Sequence, residues 1–153
     1  MTDDLHEAPG FTHRIRVRYS ECDMQGVVFN ANYFVYLDDA LDQWFHRRLG
    51  AEYLGRFEYM VKKAAMEWSA PARLHDVIEL RPRVTRWGRT SFDIGVSLSI
   101  DGRPVGEAEF VMISVDPGTH RPVPVPDEVR RALDGRAGSD GAAPADQGRS
   151  PSR

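Results

Sequence analysis

Between residues 31 and 49 apolar side chains recur at steps of three and four. Phe34, Leu37, Ala40, Leu41, Trp44, Phe45 and Leu49 make a broad stripe, with Asp38, Asp39 and Asp42 in the earlier part of the segment. That period predicts one long amphipathic helix, roughly Ala31 to Leu49. Arg47 and Arg48 suit the negative end of its macrodipole, and Gly50 is placed to terminate it.

The rest of the pattern has period two. Ile15, Val17 and Tyr19 alternate with Arg14, Arg16 and Arg18, which predicts a strand with one wet face over Phe11–Tyr19. Everything after Gly55 reads as strand: Tyr59–Ala70, ended by Pro71; a segment around Ile78, Leu80 and Val84; an unbroken alternation over 91–100; and a last strand over Val105–Val115. Asp101-Gly102 marks a tight hairpin. Phe110-Val111-Met112-Ile113 is apolar on both faces, so that strand needs cover from a helix or a second subunit. An apolar sheet face must be covered, and the one amphipathic helix is the candidate. The expected class is α+β, an antiparallel sheet curled around one long central helix.

Composition narrows the setting. The 153 residues suffice for one domain. A formal net charge of -3 argues against general nucleic-acid binding. The lone Cys22 excludes an internal disulfide and fits a reducing compartment. No run approaches the roughly 18 apolar residues of a membrane span, and the acidic first residues do not read as a secretory signal. The expected location is cytoplasmic, without membrane or nucleic-acid partners. Residues 1–10 read as a mobile leader and 134–153, rich in Gly, Ala, Ser, Pro and Asp, as a disordered tail. The folded domain is then expected over 11–133.

Familiar site motifs are missing: there is no phosphate-binding loop, no dinucleotide fingerprint, no nucleophile elbow and no metal spacing among His6, His13, His46, His75 and His120. Neither a metal nor a cofactor is expected. Cys22 has no neighbouring histidine in sequence to activate it. One segment remains, Tyr19-Ser20-Glu21-Cys22-Asp23-Met24-Gln25-Gly26-Val27-Val28-Phe29-Asn30-Ala31-Asn32-Tyr33, where an acid precedes a helix N-terminus across a glycine turn. Open N–H groups at a helix start polarise a carbonyl or hold an oxyanion, and a carboxylate attacks it or activates water. The plainer reading is that Asp23 caps or turns the chain. Spacing alone does not choose between Glu21 and Asp23.

The stretch Arg18–Phe34 closely resembles the N-terminal signature of the 4-hydroxybenzoyl-CoA thioesterase family: an aromatic, D-x-x-G-[IV]-[VI], a short aromatic step, then N-Y opening a long helix. The resemblance implies the hotdog fold over about Phe11–Leu133. It implies that Asp23 is the catalytic carboxylate, that Glu21 is structural, and that the N–H groups near Asn30 and Ala31 polarise a thioester carbonyl. Many members carry His or Tyr where this chain has Asn30. Tyr19 and Gly26 are the aromatic and the glycine of the signature, and Phe29, Tyr33, Met60 and Trp68 are the expected apolar walls. Trp87-Gly88-Arg89-Thr90-Ser91-Phe92 resembles the family's W-R-x-K-S-F segment, which meets the nucleotide phosphates of CoA. Arg89 and Ser91 carry over, Arg86 stands nearby, and Gly88 and Thr90 replace basic residues that some relatives have.

The expected activity is hydrolysis of acyl-CoA to free acid and CoA by a homodimer or homotetramer with sites between subunits. One rival is release of acyl or polyketide chains from an acyl carrier protein. Another is a non-catalytic acyl-CoA-binding module.

Overall fold

The structure, a computed structural model, describes residues 10–135. Apart from Gly10, Asp134 and Gly135, the expected leader and tail lie outside the described residues.

Five antiparallel strands form one sheet in the order β1-β3-β4-β5-β2, with β1 at His13–Arg16, β2 at Glu58–Trp68, β3 at Val77–Trp87, β4 at Ser91–Ile100 and β5 at Arg103–Val115. The hairpin between β4 and β5 turns on Asp101 and Gly102, both at positive φ (50° and 77°), as that dipeptide predicts. Helix α1, Asn32–Leu49, covers the inner face. There Ile78, Leu80, Phe92, Ile94, Val96, Leu98, Phe110 and Met112 join Leu37, Leu41, Trp44 and Phe45 in one core. The other sheet face is polar over much of its area, where Arg81 pairs with Glu79 and Arg83 with Glu107, and carries Val111 and Ile113 toward the end of β5.

Three expectations need correction. The first strand ends at Arg16, not Tyr19. Val17 is still held by its N–H to the Asp76 carbonyl, but the Glu21 carboxylate takes the Arg18 N–H and turns Tyr19–Glu21 into a short 3-10 helix. The buried stripe of α1 begins at Tyr33 and Tyr36, and Phe34 stands outside it, exposed. The region after Gly55 is not all strand, because Asp127–Leu133 is a short helix, α2. Pro126 precedes it, acids fill its first turn, and Val129 and Leu133 bury themselves one turn apart. At its end β5 is also paired in the sheet by the chain's own return, where Val123 N–H reaches the Ser114 carbonyl and Pro122 bridges to Val115, while Val111 and Ile113 on the outer face stay half-buried.

Strand β2 is the sheet edge. It is eleven residues long and mostly exposed, with Met60, Val61 and Trp68 among the exposed apolar side chains. Among the described residues no helix is long and apolar enough to cross a membrane.

Candidate active site

The segment around Asp23 is a small hairpin. Cys22 bridges to Val28, Asp23 N–H donates to the Val27 carbonyl at 2.9 Å, and Gly26 N–H closes the turn on the Asp23 carbonyl at 3.0 Å. Gly26 sits at φ +76°, a conformation that a Cβ makes costly. The hairpin is tied down by Val28 N–H to the Ala72 carbonyl and by a bridge from Val27 to Arg73.

Within it, Asp23 Oδ1 accepts the Gln25 N–H at 2.8 Å. The turn-forming role is therefore real, yet it occupies a single oxygen. Among the described residues Oδ2 has no partner, and the residue as a whole is half-buried.

The start of α1 supplies the complementary half. Its first amides bond backward three residues: Asn32 to Phe29, Tyr33 to Asn30 and Phe34 to Ala31. No side chain caps the helix at Ala31. Phe29 N–H is spent on the Glu21 carbonyl. The two N–H groups without an acceptor among the described residues are those of Asn30 and Ala31, both on exposed residues. A pair of open amides beside a helix entry is suited to a developing oxyanion.

Glu21 has its carboxylate committed to its surroundings. It is buried, and its carboxylate accepts from Arg18 N–H at 2.8 Å, from the Arg18 guanidinium and from the Tyr36 hydroxyl at 2.6 Å. Burial pushes its acid up, but the bonds from Tyr36 and Arg18 outweigh that and hold it below the usual carboxylate range. Tyr36 in turn is pushed well up, by burial first and then by the Glu21 carboxylate.

The expected apolar walls separate into two groups. At the Asp23 end, Phe29 and Trp68 are exposed (53% and 44%) and Tyr19 more so, at 85%. Tyr33 is buried behind them, edge-on to Trp68 at 5.8 Å between centroids, with its hydroxyl accepting the Ala72 N–H. Met60 lies at the opposite end of β2, where it pairs with Ile113, which also pairs with Ser91.

The Trp87–Ser91 loop is at that far end too. Arg16, just before the Asp23 hairpin, is level with Val77, the first residue of β3, whereas Trp87 is the last. Ten strand steps put the two ends roughly 33 Å apart. In the loop, Arg86 gives two bonds to the Asp93 carboxylate (2.7 and 2.9 Å) and one to Ser91 Oγ at 3.2 Å. A Cβ on Gly88 would stand 2.7 Å from Ser91 Oγ, 2.9 Å from an Arg86 nitrogen and 3.0 Å from the Ser91 carbonyl, so a side chain there requires Ser91 and Arg86 to shift. The exposed Arg89 side chain has no partner among the described residues and is the open cation of the loop.

Sequence reasoning passes over three supports. Asn32 Nδ2 donates to the Glu21 carbonyl at 2.8 Å, Arg130 lies 5.1 Å over Trp87 while donating to the Gly88 and Arg89 carbonyls, and Trp87 Nε1 donates to Asp134. The signal for Arg130 is the Pro-Asp-Glu start of α2, which reads as a helix entry.

Residues 17–133 match the family model of the thioesterase-like superfamily. The chain belongs to this superfamily. The acyl-CoA thioester hydrolase YbgC of Escherichia coli is 28% identical over 123 residues, covering 78% of this chain and 92% of the relative. The PA5185 protein of Pseudomonas aeruginosa superposes with a TM-score of 0.74 at 27% identity, over 84% of this chain and 92% of that one. A thioesterase from Thermus thermophilus, complexed with coenzyme A and Zn, gives a TM-score of 0.73 at 26% identity, over 82% and 95%. The sheet curled around α1 is the superfamily's hotdog fold.

Proposed function

We propose that the protein hydrolyses acyl-CoA thioesters at Asp23. The observation that carries this is a carboxylate with one uncommitted oxygen in a rigid turn at the same end of the sheet as two open N–H groups. The family and the acyl-CoA thioester hydrolase of Escherichia coli support the same reaction.

The thioester carbonyl oxygen accepts from the Asn30 and Ala31 N–H groups, which oppose the charge that builds as the carbon becomes tetrahedral. Asp23 takes a proton from water as its oxygen attacks; the C–S bond then breaks and the proton passes to the leaving thiolate. In the covalent variant, an Asp23 oxygen attacks first and CoA leaves as the thiolate; water then opens the mixed anhydride, restoring the Asp23 carboxylate and releasing the proton that the thiolate takes up. A single turnover in ¹⁸O-water separates them, because only the anhydride route can place label in the Asp23 side chain.

The substrate spans two subunits in this reading. Antiparallel pairing of β2 with the β2 of a second copy lays the Asp23 end of one chain against the Trp87–Ser91 end of the other. That satisfies the exposed edge strand and removes the gap that a single chain leaves between acid and phosphate-binding arginine. Phe29 and Trp68 then line the acyl channel with Met60 of the partner subunit. The dimer is the least unit of activity, and a homotetramer doubles it. The domain spans 11–133, and the protein works in the cytoplasm, consistent with its free thiol.

One observation favours a second reading, release of acyl chains from an acyl carrier protein. Arg86 is already committed to Asp93 and position 88 carries no base, leaving Arg89 as the loop's open charge. A ligand held by its pantetheine arm requires no more. The deciding experiment compares a CoA thioester with the matching carrier-protein thioester, using wild type and Asp23→Asn. Faster turnover of the carrier ester would displace CoA as substrate, and undiminished turnover by the variant would remove Asp23 from the mechanism.

A further inference from the structure

The acid and the oxyanion donors sit on different elements, a hairpin and a helix entry, and one residue joins them. Glu21 is two residues before Asp23. Its carbonyl oxygen accepts both Phe29 N–H (3.0 Å), next to the donors, and the Nδ2 of Asn32 (2.8 Å), the first residue of α1. Its carboxylate is clamped from the strand side by Arg18 and from the helix side by the Tyr36 hydroxyl at 2.6 Å.

We propose that Glu21, through its bond to Tyr36, is a positioning residue that sets Asp23 at reacting distance from the Asn30 and Ala31 amides. This rests on the reading of Asp23 and those amides as the thioesterase site. Three features separate it from packing alone. Taking a carboxylate out of water is costly, and an apolar side chain of similar volume fills such a space at no loss of stability. The bonds reach from both sides, which fixes the residue in rotation as well as in place. Helix α1 has no capping side chain at Ala31, so its entry is held instead by Asn32 on the Glu21 carbonyl. Neither Glu21 nor Tyr36 touches substrate: both are buried behind the hairpin.

The test is Tyr36→Phe, which removes one hydroxyl and leaves the ring in the core. On acyl-CoA, kcat is expected to fall roughly tenfold or more, as displacement of reacting groups by an ångström or less does, while KM stays within about twofold. The carboxyl of Glu21 loses a donor to its charged form, so the acid limb of the rate profile moves to higher pH. In the Asp23→Asn background the same change has no further effect on residual hydrolysis, because the group it positions is gone. Should Tyr36→Phe fold poorly, Glu21→Gln gives the same comparison. Wild-type kcat in both variants, or an equal loss with and without Asp23, overturns the proposal. If instead Asp23→Asn turns over like wild type, the site itself is misread and the positioning role falls with it.

Discussion

The Tyr36 hydroxyl lies 2.6 Å from Glu21 Oε2, and both groups are buried between the second turn of α1 and the hairpin that carries Asp23. An ionised carboxylate in such a place is stable only because its bonds from Tyr36 and Arg18 replace the water it lost.

A pH dependence of folding follows. Burial raises the Glu21 acid, the Tyr36 and Arg18 bonds together lower it by more, and the net value lies below that of the unfolded chain. The stabilisation is therefore complete above the unfolded value of about 4.3 and is lost as pH falls through the folded one. Glu21→Gln is expected to cost about 1–3 kcal/mol at neutral pH. Urea midpoints measured from pH 7 to pH 3 should fall less steeply for the variant than for wild type.

Asp23→Asn keeps an oxygen for the Gln25 N–H, so the turn and the melting temperature should be preserved. Hydrolysis of acyl-CoA is expected to drop by about a hundredfold or more, the range of a lost general base. Circular dichroism with initial rates checks both halves.

Arg89→Ala removes the loop's open cation. KM for a CoA thioester should rise roughly tenfold, the effect of about 1.4 kcal/mol, while the corresponding pantetheine thioester, which lacks the nucleotide, is unaffected. Equal effects on both substrates would place the phosphates elsewhere.

Gly88→Ala forces a methyl group against Ser91 and Arg86, including the Ser91 backbone carbonyl at 3.0 Å. The expected cost is about 1–3 kcal/mol, read as a lower urea midpoint. Arg86 should come off Asp93.

Val61→Asp places a charge on the exposed β2 edge. Sedimentation velocity should show monomer where wild type sediments as a dimer or larger, and turnover should vanish with the assembly. An active monomer would refute the shared site.

Much of this is legible in the chain. The period of α1, the alternation of β4 and the Asp101-Gly102 turn are local consequences of which side chains can face a core. The Arg18–Phe34 segment is legible as a glycine turn leading into a helix, whereas spacing alone leaves Glu21 and Asp23 open and only the family resemblance singles out Asp23. The helix stripe reads too far toward Phe34 because tyrosine counts as half polar, and burial of Tyr33 and Tyr36 depends on distant partners, Ala72 and Glu21. The short α2 escapes a periodicity reading because seven residues carry barely two turns of pattern.

The sequence by itself determined the helix, the alternating strands and the Asp101-Gly102 hairpin, since each depends on neighbours within a few residues. Only the tertiary structure decided that Glu21 is the clamp, that Arg86 is spent on Asp93, and that Met60 and Arg89 lie a strand's length from Asp23. Those facts depend on which residues the sheet register and the helix packing bring together, and side chains remote in sequence leave no periodic trace of their meeting.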